Sequence, residues 1–522
     1  MGGIAMPLER PPLAYPGVYV QEVSPGAVPI QGQPTAITAF LGRTDRGPMQ
    51  QATSLRSFDD FARIFGEVQR SHPVSCAVRD FFRAGGAHAV VVRLGWGTQA
   101  ALRLGDALTL RAHDEGTWGN RLTVTVDYAG LADLSPEQVP AGCVAGDLFN
   151  LRVRLLDGAG GVTLSEDHLR VTLKPGTERS LDRVLGGSTL LSPDHEASAS
   201  ERPADGTQAT GAGGGECPRL TPADYLTHVA GHGFQALDAV DVVNLICVPT
   251  DTVVGFVGQD VCVRAAEYAQ KRGALALIDP PSTWDGALAA GRLDAIDPSE
   301  LGLVGELARH VAVYVPRIRV SDGGEGGEPR PSLVSGMMAG IFSRIDAERG
   351  VWTAPAGLSA TLPTGVELTC RLTDEQSAAL NRLGINPLCS FPGTGPVVWG
   401  ARTLAGADGL DDDYRYVPVR RLADHIEQSV RSGIGWATFE PNAEPLWDEL
   451  CHQIGGFLSD LFRQGAFQGS TASAAFFVRC DVSTTTQADI DVGVVNMIVG
   501  FAPLKPREFV LLHLQQIAGA NP

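Results

Sequence analysis

The sequence has 522 residues, of which 44% are hydrophobic, and a formal net charge of −18 at pH 7. A chain of this length holds about three or four domains of roughly 100 to 200 residues each. The acidic excess repels polyanions and argues against nucleic acid as a partner. No apolar run reaches the roughly 18 residues of a membrane span, and residues 1–10 lack a signal-peptide core. We therefore expect neither membrane insertion nor a secretion signal.

Metal and nucleotide sites are not expected either. The nine cysteines are scattered without a C-x-x-C pair, which suits reduced thiols in a reducing cytoplasm better than zinc or a disulfide framework. The histidines form no H-E-x-x-H motif. The glycine-rich run 211–215 lacks the Lys and Ser or Thr that complete a phosphate-binding loop. The sequence thus predicts no cofactor and no metal.

The N-terminal part combines a short strand with an α/β unit. Residues 17–23 have the pattern of a strand and lie between two prolines. Ser57 offers a side-chain cap to a helix over 58–65, whose phenylalanines share one face. A second helix with an apolar stripe at 77–82 precedes the apolar strand 89–94.

The next part, residues 98–219, changes character to a β-rich insertion. Alternating stretches such as 122–126 and 151–155 predict half-buried strands. Residues 186–219 are rich in Ser, Ala, Asp and Gly and offer little apolar surface to bury, so we expect a flexible surface loop there.

Residues 220–370 return to an α/β rhythm. Three apolar runs, 242–248, 274–279 and 311–315, are separated by helical patterns. Strands that are apolar on both faces predict a parallel sheet covered by helices on both sides.

The last part is helical and then ends in strands. Thr373 and Gln376 form a capping box for one helix, and Asn442 is the predicted N-cap of a long amphipathic helix over 443–463. Residues 476–481, 493–501 and 503–514 then read as strands. A terminal edge strand exposes unpaired backbone groups, which invites pairing with another subunit unless the chain buries that edge itself.

These pieces, in this order, resemble the contractile tail sheath family, in particular the sheaths of phage-tail-like, extracellular-type contractile injection systems. Each match is short, but the ordered set spans nearly the whole chain. The matching stretches are Pro16-Gly17-Val18-Tyr19-Val20 with Glu22, Phe81-Phe82 with Gly85-Gly86, Glu115-Gly116-Thr117-Trp118-Gly119-Asn120, Gly400-Ala401-Arg402-Thr403-Leu404, Tyr416-Val417-Pro418-Val419-Arg420-Arg421-Leu422, Phe439-Glu440-Pro441-Asn442 with Trp447, and the run from Ala475 to Phe509.

The resemblance implies an α/β fold: an α+β core from the N- and C-terminal segments, an inserted β-rich domain, a subtilisin-like α/β middle domain, and extended strand arms at both termini. The implied division is an N-terminal arm at 1–30, the first part of the core at 31–97, the insertion at 98–219, the middle domain at 220–370, the C-terminal core at 371–508 and a C-terminal arm at 509–522.

The implied function is mechanical, and the chain is expected to be no enzyme. The expected partners are further copies of the chain in a helical assembly with six-fold rings, an inner tube protein, and baseplate and terminal cap proteins, without nucleic acid. Sheath subunits assemble in stacked rings around the tube in a metastable extended state and contract to drive the tube through a target envelope. We expect assembly in the bacterial cytoplasm, into a particle that is either released or retained.

The arms are the first candidate site, because strands at chain ends can be added to a neighbouring subunit; pairing within the same chain is the alternative. The residues assigned to inter-subunit strand addition are Gly17, Val18, Tyr19, Val20, Glu22, Phe509, Val510, Leu511, Leu512, His513 and Leu514.

Charged residues of the C-terminal part are the second candidate site. They are expected either to form intramolecular ion pairs or to contact the tube or a neighbouring subunit. The candidates are Arg402, Arg420, Arg421, Glu444, Asp448, Glu449, His452 and Arg463.

Two other classes remain as alternatives. A serine-protease-like enzyme would need Asp, His and Ser in that chain order, whereas His232 precedes Asp241, and Ser335 only loosely matches a nucleophile motif. Another self-assembling shell or tube protein, such as a capsid subunit, is the second alternative.

Overall fold

The computed structural model describes residues 29–106, 108–197, 202–227, 229–252, 255–321, 329–504 and 510–517. The α-helices are α1 Phe58–Phe65, α2 Pro73–Arg83, α3 Leu181–Leu185, α4 Pro222–Leu226, α5 Gln259–Arg272, α6 Thr283–Ala289, α7 Val334–Arg349, α8 Asp374–Arg382, α9 Val417–Gly433, α10 Glu444–Arg463, α11 Ala472–Ala475 and α12 Gln487–Asp491. The strands are β1 Thr38–Gly42, β2 Ala52–Leu55, β3 Ala89–Arg93, β4 Gly97–Thr98, β5 Ala101–Leu104, β6 Leu108–Ala112, β7 Leu122–Asp127, β8 Leu148–Leu156, β9 Val162–Thr172, β10 Leu191–Ala197, β11 Gln208–Thr210, β12 Gly215–Glu216, β13 Leu245–Cys247, β14 Leu275–Ile278, β15 Val311–Val315, β16 Ile318–Val320, β17 Arg330–Ser332, β18 Val366–Leu368, β19 Asn386–Phe391, β20 Gly395–Val398, β21 Phe476–Arg479, β22 Val494–Phe501 and β23 Val510–Ile517.

The body of the protein is an eight-stranded sheet in the order β2-β3-β1-β13-β14-β15-β19-β20. Its six central strands pair in parallel, and only β2 and β20 at the two edges are antiparallel. Along β1, Ala39 and Leu41 pack into one hydrophobic core while Phe40 packs into another on the opposite face. The sheet is therefore covered on both faces, as the apolar runs of the sequence predicted.

This sheet draws strands from three predicted segments, 31–97, 220–370 and 371–508. The body is thus assembled from segments that are far apart in sequence. The physical reason is that parallel neighbours need a long crossover, so strands far apart in sequence lie side by side.

The insertion between β4 and β12 contains two antiparallel sheets, β10-β6-β5 and β11-β7-β8-β9, around a core of its own. The prediction of a flexible loop over 186–219 is wrong for its described part, which includes β10, β11 and β12. Gly211 permits a close backbone approach, since a Cβ there would lie 1.9 Å from the carbonyl oxygen of Gly119.

The stretch from Glu115 to Asn120 fastens the insertion to the body. Arg93 at the end of β3 is 1% exposed and donates hydrogen bonds to the carbonyl oxygens of Gly47 (2.8 Å) and Glu115 (2.9 Å). Trp118 is fully buried and donates to the Glu115 carbonyl. Asn120 exchanges two hydrogen bonds, each 2.8 Å, with the backbone of Gly214. One of the sequence motifs is thus a structural junction.

The C-terminal domain packs α9 and α10 against the three-stranded sheet β21-β22-β23. The amphipathic pattern of α10 is confirmed, with Leu450, Ile454 and Leu458 buried in this core. The predicted N-cap is wrong, because Ala443 occupies that position. Asn442 instead accepts a hydrogen bond from Trp447 (2.8 Å) and donates one to the Val494 carbonyl (3.0 Å), which ties the start of α10 to β22.

Candidate functional site

The terminal sheet carries the strand assigned to inter-subunit pairing. In the single chain, β23 pairs antiparallel with β22, from Val494 opposite Ile517 to Phe501 opposite Val510. This is the intramolecular alternative that the sequence left open. β23 is at an edge of the sheet, and its outer side has no partner strand among the described residues.

Part of the predicted arm site is outside the described residues. The predicted arm residues outside the described ranges are Gly17, Val18, Tyr19, Val20, Glu22 and Phe509. Those that lie in β23 are Val510, Leu511, Leu512, His513 and Leu514. Addition of these segments to a neighbouring subunit stays a prediction.

Arg402 is engaged within its own chain. Its guanidinium donates to the carbonyl oxygens of Asn381 (2.7 Å) and Gly406 (3.0 Å) and forms an ion pair with Asp408 at 2.7 Å. It holds the loop after β20 together, so its geometry fits the intramolecular alternative.

Arg420 and Arg421 both point into the protein. Arg420 is 7% exposed, forms an ion pair with Asp424 at 2.7 Å, and stacks over the Tyr414 ring at 4.1 Å from its centroid. Arg421 makes a two-pronged ion pair with Asp346 of α7, at 2.9 and 2.5 Å. Neither guanidinium is presented to a partner, because helix α9 places both within buried contacts.

Around α9, a polar network joins three parts of the chain. Gln428 of α9 donates to the carbonyl oxygens of Arg272 and Gly273 at the end of α5, both at 2.8 Å. The segment 29–37 runs along α9, with the Gln33 amide bonded to Ser429 at 2.9 Å. Arg421 and Asp346 are 75 positions apart in sequence, and Gln33 and Ser429 are 396 positions apart. Local sequence patterns could therefore not reveal these pairs.

The polar face of α10 is on the surface, as predicted. Its exposed side chains are those of Glu444, Asp448, His452 and Arg463. Glu449 is half-buried and accepts a hydrogen bond from Gln453. Arg463 pairs with Asp460 within the helix. Unlike Arg420 and Arg421, these side chains are accessible to a partner, and their contact with a tube or neighbour stays a prediction.

His425 is a buried histidine that the sequence did not single out. It is 8% exposed, lies against Phe457 of α10, and its Nδ1 has no hydrogen-bond partner among the described residues. Burial lowers the pKa of His425 to about 4; Asp346 of α7 opposes this effect, and Arg421 of α9 adds to it. Above the pKa the ring is neutral, which is the form the core accommodates.

The lowered pKa makes the C-terminal domain sensitive to acid. An unfolded histidine takes up a proton near pH 6.5, so the stabilisation is complete above that pH and is lost as pH falls toward about 4. We expect a loss of about 2 kcal/mol between pH 7 and pH 5. His425→Gln should flatten this part of the pH profile, measured as hydrogen-exchange protection of α9, whereas the exposed control His452→Gln should not. Equal slopes for wild type and His425→Gln would contradict the assignment.

The residues considered for proteolysis do not form a triad. Ser335 is 3% exposed at the start of α7, and its hydroxyl donates to Asp279 at 2.5 Å. Burial raises the pKa of Asp279, a carboxyl that also accepts the backbone amides of Val334 and Ser335. His232 and Asp241 are exposed. Asp279 thus caps the start of α7, and no histidine base accompanies Ser335 and Asp279 in these contacts.

Among the described residues, no group of three or more His, Cys, Asp or Glu side chains could hold a metal ion, and none of their helices has the length and apolar character needed to cross a membrane. The sequence does contain one H-x-x-x-H pair, His228 and His232, of which His228 lies outside the described residues.

Similarity to known proteins identifies the class of fold. The chain is similar to the PVC sheath complex of an extracellular contractile injection system in the contracted state, with 22% identity, a TM-score of 0.56, and coverage of 96% of this chain and 98% of that one. It is also similar to a sheath tail protein of Listeria innocua, with 12% identity, a TM-score of 0.62, and coverage of 93% and 96%. The chain has the fold of contractile sheath subunits.

The sequence comparison is more specific for the C-terminal domain. Residues 410–517 match the family described as phage tail sheath C-terminal domain. The tail sheath protein of Burkholderia phage BcepMu is 30% identical over 216 residues, which is 41% of this chain and 44% of that protein. A putative prophage major tail sheath protein of Pseudomonas aeruginosa is 24% identical over 252 residues, 48% and 60% of the two chains. The matches span about half the length of these relatives, and the predicted resemblance is confirmed.

Proposed function

We propose that the chain is a structural sheath subunit of a contractile, phage-tail-like injection machine. It polymerises in stacked, six-fold rings around an inner tube and contracts to drive that tube through a target envelope. The observation that carries this proposal is the C-terminal domain, residues 410–517, which matches a tail sheath domain and ends in an edge strand. The sheath fold over the rest of the chain supports it.

Assembly proceeds by strand exchange between copies. The backbone hydrogen bonds that join β23 to β22 can be made equally by β23 of a neighbouring subunit, so exchange conserves the ladder and costs little free energy. The strand predicted from the sequence at 17–23 is added in the same way. A mesh of backbone pairs tolerates rotation between rigid bodies better than an interface of packed side chains.

Contraction is driven by free energy stored in the assembled lattice. The extended lattice forms on the inner tube, and a trigger at the baseplate lets it change into a shorter, wider lattice with more contact between subunits. The exposed face of α10, with Glu444, Asp448, Glu449, His452 and Arg463, faces the tube. A terminal cap completes the particle, which assembles inside the bacterial cell.

The subunit itself needs no catalytic group. In this proposal the α/β middle domain, residues 220–370, is subtilisin-like, but a fold does not carry chemistry. The Ser335 hydroxyl is committed to Asp279 at 2.5 Å, which supports a structural role. Labelling of Ser335 by a serine-hydrolase probe would contradict this.

Removal of the N-terminal strand tests the proposal. Deletion of residues 1–23 should leave a folded monomer that forms no sheath, because the deleted segment lies before the described body and its role is in the neighbour. Electron micrographs of the purified protein give the readout. Cylinders of normal length from the deletion variant would contradict strand addition.

A matched pair of variants separates strand pairing from arm length. Val18→Pro with Val20→Pro removes two backbone donors and should abolish assembly. Val18→Thr with Val20→Thr keeps the donors and the strand propensity, and should assemble like wild type.

A further inference from the structure

Among the described residues, Phe439 is the most exposed large apolar side chain, at 90%. The backbone around it is fixed. Ile434 and Ala437 before it are buried, and Trp436 bonds to Gln453 of α10 at 3.1 Å. Asn442 after it is tied to β22. A phenyl ring held outward on a rigid turn is pre-organised for binding, because little conformational entropy is lost when a partner covers it.

An apolar groove lies at the other end of α9. It is lined by Trp352 after α7, by Pro418, Val419 and Leu422 in the first turns of α9, and by Leu504 after β22, with Arg349 also lining it. Its volume of about 280 Å³ accommodates a phenyl ring, since an apolar cavity of about 150 Å³ binds benzene.

The two features cannot meet within one chain. Helix α9 spans Val417–Gly433 and is therefore about 25 Å long at 1.5 Å per residue. The groove is at its start, and Phe439 follows its end. A projection and a hole at opposite ends of one domain generate a head-to-tail contact, which yields an open helical assembly rather than a closed dimer.

The charged side chains beside Phe439 and beside the groove have opposite signs. Glu440 and Glu444 are exposed next to Phe439, and Arg349 is exposed at the groove. The groove also adjoins the chain that leads into β23, because Pro503 and Leu504 line it. It is thus continuous with the strand-exchange surface proposed above.

We propose that Phe439 of one subunit inserts into the groove of a second copy of this chain, with Glu440 facing Arg349. This inference rests on the proposed sheath function and names a side-chain contact that accompanies strand exchange. The occupant of the groove is a neighbouring copy; the inner tube and the subunit's own N-terminal segment are the alternatives that the experiment separates.

Photo-cross-linking in assembled cylinders tests the contact. The full chain carries p-benzoylphenylalanine in place of Phe439, and copies labelled with nitrogen-14 and nitrogen-15 are mixed before assembly. The expected product is a cross-link between differently labelled copies, from position 439 to the peptide with Trp352 or the peptide with Leu504. The control places the probe at Val304, which is 75% exposed in the body, and should give no cross-link to the groove.

Every outcome decides the inference. Cross-links within one copy, to the tube protein, or to another surface would overturn it, as would their absence from well-formed cylinders. If the wild-type chain forms no cylinders, the proposed function itself fails and the inference with it. Cylinders without the predicted cross-link would refute the inference alone.

Charge reversal gives an independent readout. Arg349→Glu and Glu440→Arg should each lower the fraction of protein sedimenting as cylinders at least threefold, and the two changes together should restore it. Phe439→Ser should lower it tenfold or more, with the circular dichroism of the monomer unchanged. Single reversals without effect, or a double variant no better than either single, would contradict the pairing.

Discussion

Replacement of Asp346 by alanine is expected to lower the free energy of unfolding of the C-terminal domain by about 3–5 kcal/mol, the usual cost of removing one partner of a buried ion pair. Asp346 and Arg421 have side chains that are 5% and 4% exposed. The Thr35 hydroxyl also donates to Asp346, at 2.7 Å, and the Arg421 guanidinium donates to the Thr35 carbonyl, at 2.9 Å. The variant therefore leaves a buried guanidinium without its carboxylate and loosens the segment around Thr35.

Native-state hydrogen exchange of α7 and α9 is the appropriate measurement, because it reports local opening rather than an average over a multi-domain chain. Glu427→Ala is the matched control, since Glu427 and Arg431 form an ion pair on the surface of the same helix. It should cost less than about 1 kcal/mol. Asp346→Leu with Arg421→Met should recover much of the loss, because it removes both charges. Unchanged protection in Asp346→Ala would contradict the account.

The second large effect is expected at Asp80, which is fully buried in α2. Its carboxylate accepts hydrogen bonds from Arg330 at 2.9 Å and Ser332 at 2.6 Å, which connects α2 with β17. Asp80→Ala should destabilise the body by about 3–5 kcal/mol, because Arg330 is 4% exposed and would remain buried without this carboxylate.

Thermal unfolding and hydrogen exchange of α2 measure this effect. Asp460→Ala is the control, since Asp460 also pairs with an arginine but is exposed on α10, and it should change stability by less than about 1 kcal/mol. Equal losses in Asp80→Ala and Asp460→Ala would refute the distinction between buried and exposed pairs.

Local signals predicted much of the secondary structure. The Ser57 cap of α1, the capping box of Thr373 and Gln376, and the parallel strands β13, β14 and β15 are confirmed. In each case the information lies within a few residues, as a cap, an amphipathic face or an apolar run.

Contacts between residues far apart in sequence could not be predicted from local patterns. The segment 186–219 looked like a loop because its strands are short and poor in apolar residues, yet Gln208 pairs with Thr125, which is 83 positions away in sequence. The sequence left open whether Arg420 and Arg421 form ion pairs within the chain or contact a partner, because nothing near them in sequence indicates that α9 is enclosed by α7, α10 and the segment 29–37. Phe439 was noted as part of a motif, but its exposure depends on how Asn442 and Ile434 are anchored.

The central claim is that this chain builds a contractile sheath. Negative-stain electron microscopy of the purified full chain, expressed alone and concentrated, tests it most directly. We predict hollow, striated cylinders, the contracted lattice that subunits reach without an inner tube to hold them extended. Closed shells, or a monodisperse monomer at every concentration, would contradict the claim.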